Sequence, residues 1–199
     1  MIRDLDDTIE QLLKTRAPTG SELAGATINF DIPDSKWRNT LNKLTVNCYL
    51  YDIQENQELR TTEPFVQRNG NQAIRRPAPA RINCAYCITA WSPAQDEAVL
   101  EEHRLLSQVL TVLLKNQTIP AEILQGSLAD QIPPYPTVVA APNGVKNQPE
   151  FWGALDQQLK PSLNYVVTLA FMLDEPPAAM GPTVETVIVE TDHLPPADA

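Results

Sequence analysis

The sequence predicts an α+β fold in which a mixed, mostly antiparallel sheet packs against a long core helix and an N-terminal helix. Three observations predict it: an amphipathic helical segment opens the chain, a long apolar helical segment lies near its middle, and strand-like segments lie on both sides of that helix. With 199 residues, 43% of them hydrophobic and 20% charged, the chain can bury a core of its own as one domain.

The first part of the chain predicts a helix followed by short strands. Residues 2–14 repeat apolar side chains at helical spacing and place acids in the first turns, where the helix dipole favours them. A loop rich in Pro and Gly then leads to a short strand at 27–32, which Pro33 ends. Residues 44–50 alternate aliphatic and polar side chains, which predicts a half-buried strand that ends in a turn at 54–57.

The middle of the chain predicts a loop, a central strand and the core helix. Residues 60–80 have little periodicity, contain several Pro and Gly residues and carry many arginines, so we expect a long basic loop. Residues 82–91 are apolar on both faces, as in a strand covered on both sides. A helix at about 96–116 follows, with an apolar set wide enough to be nearly all buried. Its members are Val99, Leu105, Leu106, Val109, Leu110, Val112, Leu113 and Leu114.

The last part predicts a helical turn at 119–124, a strand at 137–141, a short helix at 150–159 and a long alternating strand at 163–173. The α+β domain therefore spans residues 1–174. Residues 175–199 form a Pro-rich acidic arm with one strand at 183–191, and this strand either completes its own sheet or adds to the sheet of a neighbouring subunit. Val184 and Ile188 are its candidate interface residues.

Charge and hydropathy exclude several classes of function. The net charge is −10, and a chain this acidic repels phosphate backbones and anionic lipid, so we expect no nucleic-acid partner. The N-terminus is acidic where a signal peptide would be basic, and the longest apolar run is about half the length needed to cross a bilayer. We therefore expect a soluble protein, cytoplasmic when made and without membrane insertion.

No motif for catalysis, metal binding or a cofactor stands out, so we expect a protein that is not an enzyme. Cys48, Cys84 and Cys87 lie in strand-like segments, and residues three apart in a strand, as in Cys84-x-x-Cys87, point to opposite faces, which favours buried free thiols. His103 is expected on a helix surface, and the Gly-rich nucleotide-binding loops are absent.

Two further sets of residues are interpreted as structural. The acid pairs Asp6/Asp7 and Glu101/Glu102 are expected on the solvated sides of their helices. The three tryptophans, at positions 37, 91 and 152, are too far apart in sequence for a stacking stripe, so core packing or single interface anchors explain them better.

An ordered set of short motifs resembles the N-terminal domain of tube-terminator (cap) proteins of extracellular contractile injection systems, which are phage-tail-like particles. The motifs, which fall between residues 1 and 173, are Asn29-Phe30-Asp31-Ile32-Pro33-Asp34, Leu50-Tyr51-Asp52-Ile53-Gln54-Glu55-Asn56 with Glu58-Leu59-Arg60, Arg75-Arg76-Pro77, Tyr86-Cys87-Ile88-Thr89-Ala90-Trp91, Glu102-His103-Arg104-Leu105-Leu106, and Phe151-Trp152-Gly153-Ala154-Leu155 with Lys160-Pro161-Ser162-Leu163. The resemblance implies a phage tail-terminator fold and a ring, expected to be a hexamer. Such a ring stops growth of the inner tube and contacts the end of the sheath, with no catalytic residues or cofactors.

The resemblance also suggests where subunits meet. Arg75 and Arg76, with Arg68, are expected to face a neighbouring subunit or the tube protein, and Glu102 and Arg104 to hold the helix or an intersubunit contact. Other readings remain open at this point. They are a solvated loop without a partner, a monomeric adaptor that binds a basic protein through the loop and the arm, and an enzyme of unrecognised type with a deep pocket.

Overall fold

The computed structural model describes residues 1–69, 72–129, 135–142, 144–172 and 178–179, and for 65–69, 72–76 and 178–179 it describes the backbone. The helices are α1 (Ile2–Arg16), α2 (Glu22–Gly25), α3 (Ser35–Arg38), α4 (Ala98–Lys115) and α5 (Gln148–Ala154). Turns of 3-10 helix lie at Ala121–Ile123 and Gly126–Leu128. The strands are β1 (Thr27–Asn29), β2 (Thr45–Glu55), β3 (Phe65–Asn69), β4 (Gln72–Arg76), β5 (Ala80–Trp91), β6 (Thr137–Val139), β7 (Leu163–Phe171) and β8 (Ala178–Ala179).

The main sheet has five strands in the order β1-β2-β5-β7-β6. β1 pairs with β2 in parallel, and every other neighbouring pair is antiparallel. The mixed, mostly antiparallel sheet predicted from the sequence is thus confirmed, with β5 as its central strand. The register between β2 and β5 shifts between Leu50 and Asp52, so Tyr51 is the extra residue of a β-bulge.

One face of this sheet, which we call the helical face, is covered by α1 and α4. The alternation in the strands directs Val46, Cys48, Cys84 and Val167 to this side, where all four are fully buried. The helices bury residues spaced three or four apart, which form one stripe on each helix. These are Leu5, Ile9, Leu12 and Leu13 of α1, and Leu105, Val109, Val112 and Leu113 of α4.

The opposite face, which we call the aromatic face, has a separate and smaller cluster. Cys87, Trp91 and Trp152 are buried together there, and α3 and α5 supply the aromatic residues Trp37 and Phe151 against them. Cys84 belongs to the core of the helical face and Cys87 to the aromatic cluster, so the prediction that these two cysteines point to opposite faces is confirmed.

A second compact unit contains the described residues of Thr61–Pro79 and of Met172–Ala199. In it, β3 and β4 form an antiparallel hairpin, and β8 pairs with β4. The prediction of a long basic loop at 60–80 is therefore wrong, since strands occupy 65–69 and 72–76. The prolines lie outside the hairpin, and the Asn-Gly sequence at 69–70 is a hairpin signature that the count of Pro and Gly residues concealed. The domain boundary at residue 174 stays a prediction.

Several other predictions needed correction. α4 does not bury nearly all of its apolar set, since Val99 and Leu114 are 60% and 48% exposed: only one stripe of the helix faces the sheet. β1 ends at Asn29 rather than Ile32 because the Asn29 side chain accepts a hydrogen bond from the backbone N–H of Asp31 and turns the chain. α5 ends at Ala154 rather than at 159, β6 ends at Val139 and β7 at Phe171, and the short helices α2 and α3 were not predicted.

Candidate assembly surface

A buried ion pair fastens the start of α4 to the edge of the sheet where β5 ends. Lys160 Nζ lies 2.9 Å from Glu102 Oε2, and these side chains are only 14% and 17% exposed. The same ammonium donates to the carbonyl oxygen of Ala90 at 2.6 Å and lies 3.7 Å from the centre of the Trp91 ring. Glu102 Oε1 accepts from the backbone N–H of Ser92. Carboxylate and ammonium are both satisfied, which is the condition for a buried pair to stabilise a fold.

Two opposing effects act on the pKa of the Lys160 ammonium. Burial lowers the pKa of Lys160, while the hydrogen bond and charge of Glu102 raise it. Glu101, the neighbour on α4, accepts a hydrogen bond from the Ser92 hydroxyl. The expectation that Glu101 and Glu102 lie on a solvated side of the helix is therefore wrong, since both reach back to the chain that follows β5.

The outer side of α4 holds the other predicted residue of this motif. Arg104 Nε lies 3.0 Å from Glu22 Oε1 of α2, in a pair whose arginine is 55% exposed. Leu100, His103 and Ser107 line a shallow depression beside it. His103 is exposed, which confirms its predicted place on the helix surface. Arg104 thus lies on an open, partly apolar helix surface, whereas Glu102 is held inside the subunit.

The aromatic face has an open half at the other end of β5. A shallow open pocket with a volume of about 700 Å³, which we call the acidic trough, crosses β2, β5, β7 and β6 there. Its floor is built from residues that alternate with the buried core: Ala85 pairs with Val166, Asn83 pairs with Thr168, and Val138 continues it onto β6.

The rim of the acidic trough carries negative charge. Asp52, Glu55 and Glu58 line it, and none of the described residues that line it is a lysine or arginine. Asp52 accepts a hydrogen bond from the neutral amide of Gln54 at 2.8 Å, and Glu55 lies 3.3 Å from Arg60 on the surface. The trough is therefore an open sheet surface with short side chains on its floor and carboxylates at one side.

Three of the other predicted interface residues lie in the second unit. Arg68 belongs to β3, and Arg75 and Arg76 belong to β4, so the three arginines share one hairpin. Val184 and Ile188, with the strand predicted at 183–191, lie outside the described residues. The structure thus brings the three arginines onto one short element of the backbone.

The structure brings the tryptophans closer than their spacing suggested. The Trp37 and Trp91 rings meet edge to face at 5.4 Å, and Phe151 meets Trp152 in the same way at 5.6 Å. Trp91 and Trp152 are buried, so core packing is the interpretation that the structure supports. The sequence did not predict the role of Lys160 or the contacts among the tryptophans. The apolar residues on both faces of β5 did indicate that a second cluster would cover that strand.

Two carboxylates of α1 behave in opposite ways. The hydroxyl of Tyr86 donates to Asp6 Oδ1 at 2.7 Å, and burial raises the pKa of Asp6. The expectation that Asp6 lies on a solvated side of its helix is therefore wrong. Asp4 accepts hydrogen bonds from the hydroxyl and the backbone N–H of Ser127, and these lower its pKa to about 2. Both acids join α1 to other elements.

The thiols give no sign of reactivity. Cys48, Cys84 and Cys87 are free and buried, as predicted. Burial raises the pKa of Cys84 and of Cys87 to about 11, so both remain thiols at neutral pH. Among the described residues, no group of three His, Cys, Asp or Glu residues could hold a metal ion, and no helix is long and apolar enough to cross a membrane.

Solved structures of tube terminators share this fold. One is the sheath/tube terminator of the extracellular contractile injection system PVC in its extended state, with a TM-score of 0.61 and 23% identity over 99% of this chain and 64% of that one. Another is the tube-terminating cap of the anti-feeding prophage, with a TM-score of 0.61 and 26% identity over 96% of this chain and 62% of that one. The present chain thus spans less than two thirds of the length of either protein. No curated protein matches the sequence.

The sequence comparison is more specific than the likeness of fold. Residues 4–186 match the family described as the Pvc16 N-terminal domain, which is most of the chain. The chain belongs to the Pvc16 N-terminal domain family. The resemblance to tube terminators of contractile injection systems, first seen in the short motifs, is thereby confirmed.

Proposed function

We propose that this chain is a structural subunit of the cap that terminates the inner tube of a contractile injection system and contacts the end of its sheath. The observation that carries the proposal is the family match over residues 4–186, in agreement with the likeness to two tube terminators. On this proposal the chain is made in the cytoplasm, joins a particle and performs no catalysis. Its partners are further copies of itself, the tube protein and the sheath protein, with neither nucleic acid nor membrane insertion.

The subunits would act as a ring, with six copies as the expected number. A ring forms when two different surfaces of one subunit meet on successive copies and the rotation closes. The chain has several distinct surfaces for such contacts: the outer side of α4 with Arg104, the acidic trough, and the hairpin with Arg68, Arg75 and Arg76. Val184 and Ile188 would add a strand to a neighbouring subunit.

The experiment that tests this function is the mass of the purified chain in solution, by light scattering over a concentration series, with and without the inner-tube protein. A closed ring near six copies, or a ring that forms only when tube protein is added, is the expected result. A monomer that ignores tube protein at every concentration would contradict the proposal and favour a monomeric adaptor.

Within this function, Glu102 and Arg104 have separate roles. Glu102 holds α4 through its pair with Lys160, and Arg104 lies at the contact between subunits. Arg104→Glu is expected to weaken ring formation about tenfold while changing the free energy of unfolding by less than about 1 kcal/mol, because exposed pairs stabilise little. The matched control is Arg16→Glu, which breaks another exposed pair, that with Glu122. If both variants assembled as well as the wild type, Arg104 would not lie at the interface between subunits.

A further inference from the structure

We propose that the acidic trough of one copy receives the basic β3–β4 hairpin, residues 65–76, of the neighbouring copy. This proposal rests on the proposed ring and names one contact that would close it. The occupant is a second copy of this chain, since a single sequence carries both the acidic surface and a basic element of matching size.

The charges of the trough favour a basic partner. Among the described residues, neither Asp52 nor Glu58 forms an ion pair, and Asp52 has only a neutral amide, that of Gln54, as its hydrogen-bond donor. Glu55 is paired with Arg60 in an exposed contact that contributes little. A basic segment that covers the rim would remove the mutual repulsion of these carboxylates and gain charge-assisted hydrogen bonds from them.

The hairpin supplies the opposite charge. Residues 65–76 contain Arg68, Arg75 and Arg76 and no acidic residue, so this segment carries +3 in a chain whose net charge is −10. Arginine suits the task because its planar guanidinium binds carboxylates through two parallel hydrogen bonds. Complementary patches of this kind speed association and fix the register between partners.

The dimensions also agree. The whole trough, rim included, crosses β2, β5, β7 and β6, and strands about 4.8 Å apart make it about 14 Å wide between the outer strands. A hairpin of two five-residue strands is about 17 Å long and about 5 Å wide between strand axes. Ala85, Val138 and Val166 give the floor short apolar side chains, which allow a second β-layer to pack on it at the usual spacing of about 10 Å.

The two surfaces are different, so the contact is head to tail. Each copy offers its hairpin to the next copy and its trough to the previous one, and such a contact repeats until the ring closes. A contact between identical patches would stop at a dimer. The arrangement therefore fits a cap of several subunits rather than a two-fold pair.

Charge reversal with rescue tests the contact. Asp52→Lys/Glu58→Lys in the trough, or Arg75→Glu/Arg76→Glu in the hairpin, is expected to weaken ring formation at least about tenfold, and the four substitutions together should restore most of it. Thermal unfolding of each variant checks that it is folded. The matched control is Asp7→Lys, a reversal of an exposed acid on α1, which should assemble as wild type.

A cross-link between copies gives an independent readout. Gln57→Cys on the rim and Gln67→Cys on β3 are made as two separate proteins and mixed, so that any disulfide between them joins different copies. The native thiols are buried and should not interfere. The expected result is a Gln57→Cys to Gln67→Cys dimer in the ring fraction, and none when Asp7→Cys replaces Gln57→Cys.

The outcomes separate this inference from the function on which it rests. If wild type forms rings but both reversed pairs assemble normally, or the mixed cysteine proteins in rings do not cross-link, the trough contact is wrong and the cap function stands. If wild type forms no ring with or without tube protein, the function itself fails. Loss of assembly in both reversed pairs, recovery in the combined variant and the specific cross-link would establish the contact.

Discussion

The two faces of the five-stranded sheet use the same strands in different ways. The helical face is closed by α1 and α4 over a continuous core, whereas the aromatic face is closed at one end by the tryptophan cluster and open at the other end as the acidic trough. Adjacent residues of β7 show the contrast, since Val167 is fully buried and Val166 lines the trough. In the part of the chain that the structure describes, the larger core thus lies on one face, and part of the other face is the surface that we propose binds a neighbouring copy.

The largest expected effect on stability comes from the ion pair of Lys160 with Glu102, which lies beside the end of β5. Lys160→Met is expected to lower the free energy of unfolding by about 3 kcal/mol, because it leaves the carboxylate of Glu102 buried without its counter-charge. The measurement is the midpoint of denaturant unfolding with its slope.

Two companion variants make this prediction specific. Lys146→Met removes an exposed lysine and should change stability by less than about 0.5 kcal/mol. Glu102→Gln combined with Lys160→Met should recover part of the loss, because no charge is then left buried. A Lys160→Met protein as stable as wild type would show that the pair does not fasten α4.

The next largest effect compares the two faces within one strand. Val167→Ala should lower the free energy of unfolding by about 2 to 3 kcal/mol, from the lost apolar burial and the cavity that remains. Val166→Ala removes the same atoms from the floor of the trough and should cost less than about 0.5 kcal/mol in the isolated chain. Equal losses in denaturant unfolding would mean that the trough is not an open surface.

The smallest effect concerns the polar rim of the helical face. Hydrogen bonds from Ser127 hold the folded pKa of Asp4 at about 2, below its unfolded value of 3.8. The stabilisation is therefore present above pH 3.8 and is lost as pH falls through about 2. Melting temperatures between about pH 5 and pH 2 should fall less steeply for Asp4→Asn than for wild type. If the melting temperature of Asp4→Asn fell with pH as steeply as that of the wild type, Asp4 would not contribute to the acid sensitivity of the fold.

Strong periodicity made much of this fold predictable. α1, α4, β2, β5 and β7 have repeats of apolar residues long enough to distinguish a helix from a strand, and all five were predicted. The ends of β2 were the least accurate, because this strand continues to Glu55, into the turn predicted at 54–57. The hairpin at 65–76 was missed because its strands are short and lie between prolines. A strand of five residues spans little more than two periods of its repeat, so its local pattern is weak.

The candidate surfaces were less predictable, for a physical reason. Glu102 and Lys160 lie far apart in the chain, and they meet because α4 packs against β5 and because Lys160 precedes β7, which pairs with β5. The trough likewise takes its floor from residues on β5, β6 and β7, none of which is distinctive alone. The motifs indicated the family and named the arginines, but the surface that those arginines are proposed to meet depends on the register between strands.

The growth of tubes tests the central claim most directly. Inner-tube protein is allowed to polymerise with increasing amounts of this chain, and tube lengths and tube ends are measured by electron microscopy. The account predicts that tubes become shorter and uniform in length as the chain is added, with a ring of it at one end. Tubes of unchanged length that carry no ring at either end would contradict the account.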